Sequence, residues 1–402
     1  SGLWPCMATL RVSQNLSIHQ WGSRLEATEW AVVNLLPNCS RSVAFNADRF
    51  PNAVPTQAAL TLMSVDAAVA MGAFVMDLSV LYACDPADCG DPPRRNATPA
   101  EAALYTRVVA SLDPGAVVLG WGDPEHAYTN VTSADGAAVL CTFSAPNLAF
   151  WRRLGQHTGE RPLPLPKVPG LPALGAQCTD QAGPPGTTYL IFETNEGDTP
   201  RILTSQFTSA WLSPHRGTFP VSWAIDPLLA AMFPALWNYY ATTAVANDSF
   251  VTGVDGAGYV FLDSLGTHTA EYERRAGRLL ASRIGSAVVD VGVADARWPA
   301  VTVAELETYV ANAKAGGAGP AALLNACGSD YGQAVTLWLA DGTPVFNSLC
   351  HGPRGEPDRH YLYYYRDYLN ATDPAADLAA RIRWAAVNRR PSMDEPMFLL
   401  VF

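Results

Sequence analysis

From Thr188 onward the chain alternates short apolar runs with longer helix-like ones, and this alternation narrows its fold more than any other feature. Residues 189–192 and 249–252 read as strands, and 226–243 and 267–284 as helices. A strand at 287–293 leads to a helix at 303–314, for which Thr302 is the cap. Another strand at 334–339 is followed by a helix at 373–388 capped by Asp373, and 397–402 reads as a final strand. Strands separated by helices make parallel α/β structure, either a βα-barrel or an open sheet. Five strands are visible from residue 189, so a barrel of seven or eight needs strands that the periodicity does not show.

A smaller α/β region precedes it in residues 1–160. Its strand candidates are 73–81, 117–119 and 138–141, and its helix is 99–112, with Thr98 as cap and Pro99 in the first turn. Between the two regions, residues 161–186 carry Pro162, Pro164, Pro166, Pro169 and Pro172. Prolines at this density favour extended backbone, so the segment reads as a linker before a barrel-like domain at 187–402. The run 361–365 holds four tyrosines and reads as an amphipathic helix packed through its rings.

With 49% hydrophobic and 16% charged residues, the chain has the composition of a folded globular protein. Its 37 acids against 26 bases leave a net charge of −11. That excludes nucleic acid and anionic membrane surfaces as expected partners, because binding phosphates needs clustered Lys and Arg. The apolar run 67–83 carries Asp77 at its centre and is better read as buried structure than as a membrane span.

Chemistry is expected where strands end in acids and glycines. The run Tyr189-Leu190-Ile191-Phe192 is followed closely by Asn195-Glu196-Gly197-Asp198-Thr199, a buried strand opening onto an acidic loop. Glu196 and Asp198 stand two residues apart, which in extended backbone turns both carboxylates to one side. They could hold each other's pKa values apart, or bind a hard cation such as calcium together. No other cofactor is expected. Asp255 lies in a glycine-rich segment after the next strand candidate, and Glu125 follows the strand at 117–119. Glycosidic hydrolysis needs two carboxyl groups about 5 to 10 Å apart, so Glu196, Asp198, Asp255 and Glu125 are the catalytic candidates. Trp121, Trp223 and Tyr259 adjoin these loops and are the candidate faces on which a sugar ring would stack. HExxH, GxSxG and phosphate-loop patterns are absent, which argues against zinc hydrolases, nucleophile-elbow enzymes and nucleotide binding.

The segment Gly256-Ala257-Gly258-Tyr259-Val260-Phe261-Leu262 resembles the motif that names the GxGYxYP glycoside hydrolase family. Supporting matches are Gly120-Trp121-Gly122-Asp123-Pro124-Glu125, the Glu196-Gly197-Asp198 loop, and the stretch from Pro220 through Trp223 and Asp226 to Pro227. Phe261 and Leu262 stand where family members usually carry Tyr and Pro, and the acidic loop departs from their usual Ser-Asp-Gly-Asp-Asn. The resemblance spans most of 115–402 and implies a barrel-like domain acting on sugars.

Six Asn-X-Ser/Thr sequons, at Asn15, Asn38, Asn96, Asn130, Asn247 and Asn370, exceed the roughly two expected by chance. Together with 8 cysteines lacking zinc spacing, they point to a secreted glycoprotein. Cys84 and Cys89 flank a short Pro-containing loop and are expected to pair, as are Cys327 and Cys350. The N-terminus is compatible with signal-peptide removal, and the final strand pattern predicts that the natural chain continues. Two functions fit. One is a hydrolase acting on a neutral polysaccharide through Glu196, Asp198 and Asp255. The other is a non-catalytic extracellular glycan-binding or self-assembling coat or filament subunit on the same fold.

Overall fold

Asn46 shows how the first sheet is held together: fully buried, it donates through Nδ2 to the Leu78 carbonyl (3.0 Å) and accepts from the Leu78 N–H (3.1 Å). One side chain thus substitutes for a strand partner where pairing ends. The computed structural model describes residues 20–47, 64–81, 97–122, 125–157, 186–194, 200–253, 255–284, 288–291, 302–325, 336–347, 361–362, 372–388 and 397–401. Within these, strands β1 (Val43–Ala47), β2 (Phe74–Met76), β3 (Val117–Trp121) and β4 (Ala138–Cys141) form a parallel sheet in the order β2-β1-β3-β4. Every residue of β1 and β4 is buried, the pattern of a sheet covered on both faces.

The chain divides into two units, Ser1–Cys39 and Ser40–Phe402. The first contains helix α1 (Arg24–Asn34), capped by Ser23, whose Oγ accepts from the Glu26 N–H. All sheets lie in the second. There α2 (Val65–Ala70), α3 (Pro99–Ala110), α4 (Glu125–Ala134) and α5 (Leu148–His157) accompany the first sheet, and α6 (Gln206–Trp211) follows. Thr98 caps α3, with the Glu101 N–H donating to its Oγ1 (3.1 Å), as the sequence indicated.

A second sheet, parallel throughout, runs in the order β12-β13-β5-β6-β7. Its strands are Tyr361–Leu362 (β12), Met397–Val401 (β13), Thr188–Thr194 (β5), Val221–Ala224 (β6) and Asp248–Val251 (β7). In the third, β8 (Val288–Val291), β9 (Ala322–Asn325) and β11 (Pro344–Asn347) are parallel, while β10 (Thr336–Trp338) pairs antiparallel to β11. A single parallel bridge, Thr252 with Val289, joins the second sheet to the third. The protein is therefore mixed α/β with parallel sheets. No helix among the described residues is long and apolar enough to cross a membrane.

Several expectations change. The helix expected at 226–243 is two, α7 (Leu228–Met232) and α8 (Pro234–Thr243), because Pro234 cannot donate the bond that would continue the first. Only Phe74–Met76 of the run 73–81 is strand. Tyr361 and Leu362 begin a strand, not a helix. Strands β1, β6, β9 and β11 are additional. Most of the proline-rich segment 161–186 lies outside the described residues.

Candidate functional site

Strands β5, β6 and β7 end together, and their C-terminal edge collects carboxylates. In register, Glu193 pairs with Ser222, and Ser222 with Ser249, so these three share one face; the two seryl hydroxyls lie 2.9 Å apart. Glu193 is 3% exposed. The opposite face is aromatic: Trp223 and Phe250 meet Trp211 at ring-centroid distances of 5.0 and 6.2 Å. Thr194 ties the strand ends by accepting from the Ala224 N–H (3.1 Å).

Asp226 follows β6 and is 3% exposed. Its Oδ1 accepts from the Leu228 N–H (2.8 Å), starting α7. Burial raises its pKa to about 7, against the opposing pull of the Leu228 N–H, the Arg275 charge and the Gly258 N–H. Gly253 packs directly on it: a Cβ there would stand 3.2 Å from the Asp226 backbone nitrogen. Asp255 is fully buried with φ 62°, a left-handed conformation that Asp tolerates better than most residues. Its carbonyl accepts from the Tyr309 hydroxyl (2.8 Å), which descends from helix α10 (Val303–Gly316). Tyr272, on helix α9 (Thr269–Leu279), donates to the Gly258 carbonyl (2.7 Å) and accepts from the Ala257 N–H (3.2 Å). Burial, then the Asp255 charge, pushes both phenols well above their usual pKa, so they remain protonated donors.

The glycine segment thereby becomes a rigid connector. Gly258 has φ 97°, and a Cβ there would meet Ala138 Cβ and Leu228 Cδ1 at 2.8 Å each, so only glycine fits. Tyr259 then pairs antiparallel with Val139, placing the segment along the edge of β4. Its ring lies 6.3 Å from that of Trp121 with 11° between planes, and its hydroxyl donates to Glu125 Oε1 (3.1 Å). Glu125 is exposed at the start of α4, and Trp121 is half-buried at the end of β3. Trp121, Tyr259 and Glu125, read from the sequence as separate candidates, thus form one cluster.

Other candidates fall elsewhere. Trp223 is 4% exposed, donates to Asp248 Oδ1 (2.9 Å) and sits edge-on between Trp211 and Phe207; it is a core residue with no face open to a sugar. Asp255 is fully buried in the glycine turn, and Tyr259 is 9% exposed. Glu196 and Asp198 lie outside the described residues, as do Cys84, Cys89, Cys327 and Cys350. No cluster of three metal-ligating side chains occurs among the described residues. Sequence reasoning missed Asp226 and Glu193 as part of this edge. Asp226 follows Trp223-Ala224-Ile225 directly, the same apolar-run-then-acid signal that drew attention to Glu196.

This is the architecture of an α/β protein whose parallel strands end on a common carboxylate-bearing edge. Residues 186–336 match the domain described as "GxGYxYP putative glycoside hydrolase C-terminal domain", and residues 87–152 match the "GxGYxYP third domain". Together the two matches take in just over half of the chain, and the protein belongs to the GxGYxYP family. No curated protein sequence matches it. A solved structure described as a "putative hydrolase" from Bacteroides thetaiotaomicron is similar, with 18% identity and a TM-score of 0.60. The likeness covers 93% of this chain but 62% of that one, so this chain spans less than two thirds of that protein; at such identity the likeness is one of fold.

Proposed function

We propose that this is a glycoside hydrolase-like protein that engages a neutral polysaccharide at the Trp121–Tyr259–Glu125 cluster. The observation that carries this reading is an exposed carboxylate held by a phenol beside an indole ring. An indole face stacks on the C–H face of a sugar, and a carboxyl group in hydrogen-bond contact with a phenol can donate or accept a proton at a glycosidic oxygen. The second carboxylate would come from Glu196 or Asp198, which follow β5 in the sequence. On this reading the second and third sheets, joined at Thr252 and Val289, are the wall of a barrel-like domain, and chemistry at its C-terminal edge follows the usual βα logic. Sugars are common outside the cell, in keeping with a secreted protein.

Release of reducing sugar from a panel of neutral polysaccharides tests the proposal. Wild type should be active, and Glu125→Gln and at least one of Glu196→Gln and Asp198→Asn should lower kcat by about 100-fold or more. Activity untouched by all three substitutions would remove the site. A second reading, glycan binding without turnover, is favoured by one observation: of Glu125, Glu193, Asp226 and Asp255, Glu125 alone is exposed. In that case Trp121→Ala abolishes polysaccharide retention, while no reducing sugar appears with wild type.

A further inference from the structure

The opposite end of the first sheet holds a separate cavity. It has a volume of about 400 Å³ and lies between the turns before β3 and β4 and one face of α9. Its polar lining is His268, Glu271, Tyr272, Arg275, Arg278 and Ser282. Gly115 and Gly136 form its rim, at the N-terminal ends of β3 and β4. Trp121 stands at the other end of β3, about 20 Å of extended chain away.

Two left-handed glycines create this space. Gly115 (φ 81°) donates its N–H to the Gly136 carbonyl (2.8 Å), locking one turn against the other. Gly136 (φ 75°) lets His268 close over it, since a Cβ there would stand 2.7 Å from the imidazole ring. Into this space α9 projects Arg275, which hydrogen-bonds the Gly115 carbonyl. That is one acceptor for a group with five N–H donors. Among the described residues Arg275 makes no ion pair: Asp226 and Glu271 act on it only through space. Burial lowers its pKa, the mark of a guanidinium that has lost water without gaining a carboxylate in exchange.

The remaining charges do not supply that partner. Glu271 is engaged by Arg274 (3.3 Å) and Arg278 (2.6 Å), which between them neutralise it. Tyr272 is committed to the glycine segment. In a chain of net charge −11, this concavity is lined by two arginines and one carboxylate, the already paired Glu271; Asp135 acts on His268 and Asp226 on Arg275 only through space. Its volume is near the low end for small-molecule sites. We propose that this cavity binds a small oxyanion-bearing molecule, a carboxylate or a phosphate, with Arg275 as its principal partner. The guanidinium fork takes two oxyanion oxygens at once, the His268 ring adds a hydrogen-bonding group at the rim, and Leu228, Ala231 and Leu279 cover the apolar part of the ligand. The proposal is independent of the polysaccharide reading: it concerns different residues at the other edge of the sheet.

Calorimetric titration of the full chain with glucuronate, glucose 6-phosphate, inorganic phosphate and neutral glucose tests it. At least one anion should bind, and glucose should not. Arg275→Gln should weaken that binding by about 10-fold or more. Arg275 is half-buried and its replacement can disturb folding, so Ala231→Glu gives a second test. Ala231 is exposed on the cavity wall, and a carboxylate there should repel the ligand with Arg275 intact. Glucuronate binding alone identifies a carboxylate ligand, and binding of the phosphates a phosphorylated one. The proposal is overturned if no anion binds the folded wild type, if glucose binds as well as the anions, or if Ala231→Glu binds unchanged.

Discussion

A buried carboxyl group must find protein partners for the hydration it gives up, and Asp226 finds only some. The Leu228 and Gly258 N–H groups and the distant Arg275 charge favour its ionised form, yet burial prevails and its pKa rises to about 7. The folded state therefore holds a proton that the unfolded state, titrating near 3.8, releases. Stability falls as pH rises between those two values and levels off above the upper one. Glu273 repeats the pattern: burial raises it to about 7 despite the Asn312 amide at 2.6 Å. Asp226→Asn keeps the acceptor for the Leu228 N–H and carries no charge to desolvate. It should flatten the urea-unfolding profile between pH 4 and 7 and raise stability at pH 8 by at most about 4 kcal/mol. A variant with the wild-type pH slope would show that Asp226 is ionised in the fold at neutral pH. The position of Asp226 after an apolar run was legible in the sequence. Its enclosure was not, because that depends on Gly253 and Gly258 arriving from another strand. Trp223 shows the converse. Its neighbourhood looked like a loop site, but Trp211, Phe207 and Asp248, all distant in sequence, draw the indole into the core.

At the scale of elements, α9 and α10 make the tightest crossing. A Cβ on Gly277 would lie 1.9 Å from the Ala313 carbonyl oxygen, and one on Gly316 would lie 2.0 Å from the Arg274 carbonyl oxygen. Each helix thus contributes one glycine that the other's backbone touches. Gly277→Ala in an isolated helix would gain about 1 kcal/mol of propensity. Here the helices must part, shifting Tyr272 and Tyr309 and with them the glycine segment that both hydroxyls hold. We expect a net loss of about 2–4 kcal/mol in chemical denaturation, with near-ultraviolet dichroism reporting loosened tyrosines. A neutral or stabilised variant would mean that the helices do not cross this closely. The start of α10 was readable because caps are local: Thr302 forms a full capping box with Glu305, and Asp373 likewise starts the helix Pro374–Asn388 by accepting from the Ala376 N–H (3.0 Å). Strands β6 and β9 were not. Val221–Ala224 mixes Ser222 among apolar residues because its two sides meet different surroundings, and Ala322–Asn325 is too short for periodicity to register.

For the whole molecule, secretion is our proposal, and the structure ranks the sequons it describes. Asn38 is exposed at the end of the short turn Leu36–Asn38, and its amide makes only a long 3.5 Å contact to the Asn34 carbonyl. Asn130 lies inside α4. Its sequon threonine, Thr132, is fully buried, donates to the Tyr128 carbonyl (2.7 Å) and stands 2.7 Å from the Tyr105 hydroxyl. Asn247 donates its amide to the Gly217 carbonyl (2.7 Å), and the next residue, Asp248, is buried beneath Trp223. Asn15, Asn96 and Asn370 lie outside the described residues; their sequence positions place Asn96 and Asn370 just before helix caps. Glycan transfer precedes folding, so each sequon is open to the transferase at first. A sugar on Asn247 would replace one of that amide's two N–H donors and place its bulk where the amide meets the Gly217 carbonyl; losing that bond costs about 1–3 kcal/mol. One on Asn130 would have to lie along a helix packed through Tyr128 and Thr132. Molecules carrying either modification should fold poorly and be depleted from the secreted pool. Glycopeptide mapping of the soluble protein from a secretory host should therefore find Asn38 occupied, and Asn130 and Asn247 largely bare. High occupancy at Asn247 with unaltered thermal stability would show that its amide is not held in solution. A wholly unmodified chain from a glycosylating host would end the case for a secreted glycoprotein.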